Sequence, residues 1–352
     1  MSVTNFITLP NRTIMIGAES DLANLPDALP FGTIAVLAGE SKRWQLGLDG
    51  TWEEMASGGG GGGGGEGDKI IGGLIDGTIS TFLSNSYATS VKDYFFSRNN
   101  SMVGVSLPSV SSIGSSAFAA CYSLASAYFD AVQTIGSSAF YACSALSTVY
   151  APVLSSAGSG VFYMAGLVSA DFPSLSTAGN YTFAYCKELV TASIPEIRYL
   201  ASSAFAGCEK LETVYAPKVG TLGSYAFTKC SIIESVSLPN CSNVGVGAFQ
   251  SCPELKTVLF GSKASIGASV FGNDYNLISL YLPWSGSGIA TTNVTAFAST
   301  PIGGYSDSAG RFGSIFVPST KWSEYQANTV WWNNFSDRFV SMTDQEIEEL
   351  LG

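Results

Sequence analysis

Histidine is absent from the 352 residues of this chain. Ser-His-Asp and Cys-His catalytic arrangements need an imidazole as their base, and most zinc hydrolases hold the metal through histidines. The absence therefore excludes these enzyme classes. We expect neither a metal site nor a cofactor.

Charged residues are scarce, at 12% of the chain, and the 27 acidic residues outnumber the 16 basic ones, for a net charge of −11. No run of lysine and arginine is present. A nucleic acid partner needs such a run to neutralise its phosphates. We therefore expect no binding of nucleic acid.

Long apolar runs are missing as well. No stretch reaches the roughly 18 apolar residues that a membrane span requires. The first residues, MSVTNFITLPNRTIMIGAES, lack the basic segment and apolar stretch of a secretory signal. We expect no membrane insertion and no export through such a signal.

What the sequence does contain is a repeat. Residues 113–121 read IGSSAFAAC, and residues 135–143 read IGSSAFYAC. Such self-similarity at a fixed period predicts a repeat architecture. One phenylalanine marks each unit, at intervals of 22 residues with one of 21 and a last one of 26. These residues are Phe96, Phe118, Phe140, Phe162, Phe183, Phe205, Phe227, Phe249, Phe271 and Phe297.

Each repeat is expected to contribute one short strand. Segments such as LETVYAP (211–217) and LKTVLF (255–260) are rich in β-branched residues and alternate apolar with polar. A single strand cannot bury its apolar side alone, whereas stacked copies pair in parallel and share a core. The AFxxC segment supplies the return connection that parallel strands need. The sequence therefore predicts a repeat solenoid of about ten rungs.

The cysteines follow the same period. Six of the seven stand three residues after a repeated phenylalanine, and Cys241 takes a place that other repeats fill with an aliphatic residue. Stacked rungs lie about 4.8 Å apart, whereas the Cβ atoms of a disulfide prefer about 3.8 Å. We expect all seven to be buried thiols.

The run SIGSSAFAACYSLASAYFDAVQTIGSSAFYACSALSTVYAP resembles the BspA-like leucine-rich repeat class of bacterial surface proteins and some phage proteins. Its unit, IGxxAFxxCxxLxxhxhP with h apolar, occurs in about nine copies over residues 90–298. The resemblance implies a right-handed leucine-rich-repeat solenoid with a parallel sheet on one face. It also implies binding to surfaces, and it does not specify the ligand.

Before the repeats, residues 1–56 contain GTIAVLAGESKRWQLGLDGTWEEM, which predicts a small β meander that would serve as an anchoring module. A linker at 57–67 includes eight consecutive glycines at 58–65. A simple flexible spacer is the first interpretation, and bundling with other chains as polyglycine helices is the alternative. This layout resembles phage virion proteins that anchor by one end and bind by the other.

The solenoid with its N-terminal cap is expected at 68–298, and a C-terminal cap at 299–352. The second segment concentrates aromatic residues that would cover the apolar cross-section of the last rung. A carbohydrate platform built from Trp322, Trp331 and Trp332 is the alternative. Thr343 and Glu346 form a capping-box pattern, which predicts a short acidic helix at the end.

The expected binding face lies ten residues after each phenylalanine, or nine in the repeat that is one residue shorter, at outward strand positions. Tyrosine recurs there, and its rigid ring with a hydroxyl suits adhesive surfaces and sugar stacking. Tyrosine also favours strands without any binding role, so both interpretations stay open. The candidates are Tyr128, Tyr150, Asp171, Tyr215 and Tyr281.

Glycoside cleavage needs only two carboxylates, about 5 Å apart in retaining enzymes. Glu212 and Glu234 occupy the same position in successive repeats, and Lys256 follows them there. A ladder of ion pairs on a solvated face explains the three residues without catalysis. We expect no catalytic residues.

These features predict a non-enzymatic surface or fibre protein of a bacteriophage virion, made in the host cytoplasm. A virion protein at the N-terminal module, a glycan or protein of a bacterial surface at the solenoid, and further copies of the chain are the expected partners. A BspA-like adhesin on a bacterial cell surface is the alternative, and a glycan depolymerase is the third interpretation.

Overall fold

The computed structural model describes residues 88–351 in full and, before them, only six strands, at 7–9, 13–16, 34–37, 43–46, 52–55 and 82–84. The linker predicted at 57–67 lies outside the described residues.

The described chain contains 27 strands and three α-helices. In chain order the strands are β1 (Ile7–Leu9), β2 (Thr13–Ile16), β3 (Ile34–Leu37), β4 (Arg43–Leu46), β5 (Trp52–Met55), β6 (Phe82–Ser84), β7 (Ser90–Val91), β8 (Gly104–Ser106), β9 (Ser112–Ile113), β10 (Ser126–Tyr128), β11 (Thr134–Ile135), β12 (Thr148–Tyr150), β13 (Ser156–Ala157), β14 (Ser169–Asp171), β15 (Thr177–Ala178), β16 (Thr191–Ser193), β17 (Tyr199–Leu200), β18 (Thr213–Tyr215), β19 (Thr221–Leu222), β20 (Ser235–Leu238), β21 (Asn243–Val244), β22 (Thr257–Phe260), β23 (Ser265–Ile266), β24 (Ser279–Tyr281), β25 (Thr291–Thr292), β26 (Ser314–Pro318) and β27 (Phe339–Met342). The helices are α1 (Trp322–Ala327), α2 (Thr329–Phe335) and α3 (Asp344–Leu351).

Strands β1 to β5 form one sheet in sequential order. The pairs β1–β2, β3–β4 and β4–β5 are antiparallel, as in a meander. The pair β2–β3 is parallel, which a pure meander does not contain. The domain boundaries given above stay predictions.

The repeats form a solenoid with two strand-bearing faces. The first face carries twelve strands, in the orders β6-β8-β10-β12, β14-β16-β18 and β20-β22-β24-β26-β27. The second face carries ten strands of two residues each, in the orders β7-β9-β11-β13-β15 and β17-β19-β21-β23-β25. Each repeat therefore contributes two short strands, one more than predicted, and the solenoid has about twelve turns.

Strand pairing within both faces is parallel and follows the repeat. Tyr128 pairs with Tyr150, one coil of 22 residues later. The coil between β12 and β14 is one residue shorter, and the first-face ladder is interrupted there. Parallel pairing in constant register places each repeat position in a row along the solenoid axis.

The core of the solenoid is a column of phenylalanine rings. Neighbouring rings from Phe96 to Phe297 stack with centroids 5.1–5.6 Å apart and planes within 17° of parallel. Stacking at this distance is favourable for aromatic pairs and sets the phenylalanine period in the sequence.

The cysteines line the same core. All seven are buried free thiols, as predicted. Cys143, for example, donates its thiol to the carbonyl of Phe118 at 3.0 Å, and five other cysteines make the equivalent bond. Burial raises the pKa of Cys121 to about 11, so this thiol is protonated at neutral pH.

The AFxxC segment returns the chain from the second face to the first, and hydrogen bonds join it to the next coil. Ser116, Phe118 and Ala120 donate backbone N–H groups to carbonyls of the following repeat at 2.7–2.8 Å. Ser116 and Ala120 have positive φ angles of 54° and 58°. We call this column of segments the return ridge.

Glycine follows seven of the ten second-face strands, at places where the coils approach closely. A Cβ atom on Gly136 would lie 2.5 Å from the backbone nitrogen of Ser115 in the preceding coil. Any larger residue would force the two coils apart. This contact explains the IG pair of the repeat.

Helices and a last strand close the C-terminal end. Trp331 of α2 is fully buried and lies 6.3 Å from the ring of Phe297, the last of the column. The predicted capping box is confirmed at the start of α3, where Thr343 and Glu346 exchange backbone-to-side-chain hydrogen bonds.

Candidate functional site

The candidate residues of the first face form one row, which we call the strand row. Register places Tyr128 beside Tyr150, Asp171 beside Ser193, and Ser193 beside Tyr215. Tyr281 lies between Leu259 and Phe316 in the same row. In full, the row runs through Ser106, Tyr128, Tyr150, Asp171, Ser193, Tyr215, Ser237, Leu259, Tyr281 and Phe316.

Exposure along the strand row is uneven. Tyr150, Asp171 and Tyr215 are exposed, and Tyr215 is the most accessible tyrosine of the row, at 61%. Tyr128 and Tyr281 are half-buried. The continuous outward row that the sequence predicts is therefore broken, because Ser106 and Leu259 are buried.

Ring contacts order part of this row. The rings of Tyr128 and Tyr150 lie 6.4 Å apart and are tilted by 36°. Tyr281 stacks on Phe316 at 4.5 Å, with planes within 12° of parallel. Such contacts between neighbouring coils hold the rings in place, which lowers the entropy lost when a ligand binds.

A second row of side chains was not anticipated and runs beside the strand row. The first residue of each first-face strand from β10 to β26 is serine or threonine. The signal in the sequence is a hydroxyl residue seven or eight positions after each phenylalanine from Phe118 to Phe271. The members of this hydroxyl row are Ser126, Thr148, Ser169, Thr191, Thr213, Ser235, Thr257, Ser279 and Ser314.

The hydroxyl row and the strand row give the first face a polar character with little charge. Members from Thr148 to Ser235 are exposed. Hydroxyls both donate and accept hydrogen bonds, and tyrosine rings offer apolar contact area. This combination can bind a flat polar ligand without a charged anchor.

Of the two carboxylates considered for catalysis, Glu234 lies in an ion pair between coils. Glu234 bonds Lys256 at 2.7 Å, and Lys187 bonds Glu209 at the same distance. All four side chains are exposed, so each pair contributes little to stability. Glu234 is thus paired with Lys256 on a solvated face.

The tryptophans considered for a carbohydrate platform lie in the C-terminal cap. Trp331 is buried, and its indole N–H donates to the Ala290 carbonyl at 2.7 Å. The Tyr325 hydroxyl accepts from the Ala290 N–H at 3.3 Å, so both backbone groups of Ala290 are satisfied by the cap. This burial removes Trp331 from the candidate surface, whereas Trp322 and Trp332 are half-buried.

Among residues 88–351 and the six earlier strands, no three side chains of His, Cys, Asp or Glu come together as a metal site. The helices of this part of the chain are too short to cross a bilayer.

The sequence model of the BspA type leucine rich repeat region matches residues 77–190 and 176–302, in six copies. A leucine-rich repeat protein of T. pallidum is 29% identical over 50% of this chain and 78% of its own, with a TM-score of 0.40. A leucine rich cell surface protein of Faecalibacterium prausnitzii is 19% identical over 90% of this chain and 97% of its own, with a TM-score of 0.37. A leucine-rich repeat protein of Bacteroides ovatus is 16% identical over 74% of this chain and 91% of its own, at 0.38. No curated protein matches.

The family match spans well over half of the chain, and its repeats are those that build the solenoid. The protein therefore belongs to the BspA-type leucine-rich repeat family.

Proposed function

We propose that this protein is a non-enzymatic binding protein, and that its first face contacts a glycan or protein on a bacterial surface. The observation that carries this proposal is the strand row, in which exposed Tyr150 and Tyr215 lie beside exposed hydroxyls of the neighbouring row. Exposed aromatic side chains on a rigid sheet are typical of recognition surfaces.

We also propose that the chain sits on a bacteriophage virion, with the N-terminal module as its anchor. Support comes from the order of the segments: a short β-rich module, a glycine-rich linker and a repeat domain. Many copies tethered to one particle would multiply weak contacts, since avidity can exceed single-site affinity by about 10²–10⁴.

A cell-surface adhesin is the second candidate, and membership of this repeat family favours it. Mass spectrometry separates the two settings. The virion proposal predicts peptides of this chain in gradient-purified phage particles from a culture that expresses the gene. If protease treatment of intact cells releases peptides of this chain and the phage particles contain none, the result would support the adhesin and contradict the virion proposal.

The binding proposal is tested with the full chain, biotinylated and clustered on streptavidin, against a panel of intact bacterial strains. Clustered wild-type protein should adhere to at least one strain, and the Tyr150→Ala/Tyr215→Ala double variant should lose most of that adhesion. Tyr199→Ala, an equally exposed tyrosine on the second face, is the matched control and should adhere like wild type.

Equal adhesion of the strand-row variant and the wild type would contradict the strand row as the contact surface. Trp322 and Trp332 in the cap would then be the next residues to change. Release of oligosaccharide that disappears in Glu212→Gln would contradict the non-enzymatic proposal and favour a depolymerase.

A further inference from the structure

Four tyrosines meet on the return ridge, which lies between a second-face strand and the next first-face strand of the chain. We call Tyr141, Tyr163, Tyr181 and Tyr185 the ridge cluster. Tyr141 and Tyr163 directly follow the core residues Phe140 and Phe162, whereas Tyr181 and Tyr185 flank Phe183 at a distance of two residues. Three consecutive coils thus bring together residues from three different repeat positions.

Tyr163 lies at the centre of the ridge cluster. Its ring stacks on Tyr141 at 5.5 Å, with planes only 8° apart. Tyr185 lies 5.4 Å from it at 57°, and Tyr181 lies 6.4 Å away edge-on. Each ring of the cluster is therefore in contact range of Tyr163.

The hydroxyls of this cluster are suited to hydrogen bonding. Partial burial, and then the nearby phenols of Tyr185, Tyr141 and Tyr181, raise the pKa of Tyr163 above its ordinary value. The Tyr163 phenol therefore keeps its proton at neutral pH. Tyr141 and Tyr181 are exposed, while Tyr163 and Tyr185 are half-buried.

The ring of Tyr185 packs against Gly207 of the next coil, which has no side chain. A Cβ atom on Gly207 would come within 2.7 Å of Tyr185 Cδ1. Gly207 has a φ of 70°, and the equivalent place in other coils holds larger residues such as Met164 and Lys229. Glycine at this one position makes room for the tyrosine ring.

The fold does not need these rings. Where Tyr141 and Tyr163 stand, other coils carry Ala119, Ala206 and Thr228 and still make the same stacked phenylalanine column. If the position after the core phenylalanine served the fold alone, small and polar residues there would be sufficient, and tyrosine would not be needed. A concentration of four rings in three coils therefore indicates a binding role.

The lack of free charged groups among the described residues near the ridge cluster indicates the kind of ligand that it can bind. The four rings are uncharged, and Ala142, Gly160 and Met164 lie among them in the chain. Lys187, two residues after Tyr185 in the chain, is already paired with Glu209 at 2.7 Å. A charged ligand would find no free counter-charge among these residues, whereas a sugar can place its C–H face on a ring and its hydroxyls on the phenols.

We propose that the ridge cluster is a second binding site, distinct from the strand row, and that its ligand is a neutral glycan. The ridge is a row of successive coils, so a linear polysaccharide can lie along several rings at once. The rings of Tyr141, Tyr163 and Tyr185 provide successive contacts for such a chain.

The test uses the full chain in affinity electrophoresis, with gels that contain a soluble neutral polysaccharide. A β-glucan and a mannan are the neutral probes, and polygalacturonate is the acidic one. At least one neutral probe should retard the wild-type protein. Tyr163→Ala and Tyr185→Ala should each weaken that binding about fivefold or more, and polygalacturonate should not retard the protein.

Tyr275→Ala is the matched control, because Tyr275 is an exposed tyrosine in a later coil, and it should bind like wild type. Tyr163→Phe keeps the ring and should retain more binding than Tyr163→Ala. Thermal melting of each variant verifies that the solenoid stays folded.

Three results would overturn the proposal: no retardation by either neutral probe, equal binding by the Tyr163→Ala and wild-type proteins, or equal retardation by the acidic polysaccharide. Failure of this polysaccharide test can be distinguished from failure of the cell-adhesion test, because the two use different variants. The Tyr150→Ala/Tyr215→Ala variant should keep its binding to the neutral polysaccharide even where it loses adhesion to cells.

Discussion

Phe205 illustrates how one residue per repeat specifies the solenoid. Its ring is fully buried and stacks on Phe183 at 5.1 Å and on Phe227 at 5.4 Å. A ring removed from the middle of this column leaves a cavity between two coils that cannot close without shifting their strands.

Phe205→Ala should therefore lower the free energy of unfolding by about 3–5 kcal/mol, as for other buried aromatics. Urea denaturation followed by circular dichroism measures the change. Tyr199→Ala removes an exposed ring from a nearby coil and should cost less than about 1 kcal/mol. A loss below about 1 kcal/mol for Phe205→Ala would contradict the stacked core.

Asp274 is one of the residues that depart from the cysteine column. It stands three residues after Phe271, where the four preceding coils have a thiol, and it is fully buried. One carboxyl oxygen accepts the Cys252 N–H at 2.7 Å, but Oδ2 has no hydrogen-bond partner. Burial, with Cys252 as the second cause, raises the pKa of Asp274 well above the usual carboxyl range.

This raised pKa makes Asp274 a source of pH-dependent stability. A carboxyl whose pKa is higher in the folded state than in the unfolded state binds more protons when the protein is folded. Its stabilising contribution to the free energy of unfolding is complete at pH values below the pKa of the unfolded state. That contribution is lost as the pH rises through the pKa of the folded state. Between these two pKa values, the free energy of unfolding falls by up to about 1.4 kcal/mol per pH unit.

Asp274→Cys restores the thiol of the preceding coils and should make the protein more stable than wild type, by a margin that grows as pH rises. Urea denaturation of both proteins from acidic to mildly alkaline pH measures the margin. Asp171→Asn, which removes an exposed carboxylate, is the control measured over the same pH range. A margin that stays constant with pH would mean that Asp274 does not titrate with folding.

Within the elements of the solenoid, the return ridge contains strained backbone that hydrogen bonds between coils help to hold. Ala120 and Ala142 occupy the same place in two coils, with φ angles of 58° and 56°. Left-handed backbone is unfavourable for residues that carry a Cβ, at about 1 kcal/mol or more each. The N–H of Ala142 bonds the Tyr163 carbonyl at 2.7 Å, which helps to hold this conformation.

Glycine should relieve the strain at this position. Ala142→Gly is expected to leave stability unchanged or to raise it by up to about 1 kcal/mol, measured by thermal or urea denaturation. Ala145→Gly, three residues later and outside the left-handed positions, should instead lower it by about 0.5–1 kcal/mol. An equal loss at both positions would show that the backbone of Ala142 is not strained.

The elements differ in how far the sequence predicts them. First-face strands such as β18 and β22 lie within the segments that the alternation of residues indicates. The second-face strands were missed, because two residues are too few to show alternation. Their signal is an apolar residue directly before glycine, as in Ile135–Gly136, where the close approach of the coils fixes the chain.

At the scale of the molecule, the repeat predicts the interior better than the ends or the surface. The period identifies the solenoid and its core, but the capping coils depart from the period, so the solenoid is about two turns longer than the ten predicted. The strand row follows one repeat position and was predicted, whereas Tyr141, Tyr181 and Tyr185 occupy different positions. Only the stacking of coils brings those rings together.

We propose that the first face of the solenoid contacts a bacterial surface. Hydroxyl-radical footprinting tests it directly, by comparing tyrosine oxidation in the free protein and in the protein bound to cells. Tyr150 and Tyr215 on the first face should be protected on binding, while Tyr199 on the second face should be oxidised equally in both states. Protection of Tyr199 with unchanged oxidation of Tyr150 and Tyr215 would contradict the account.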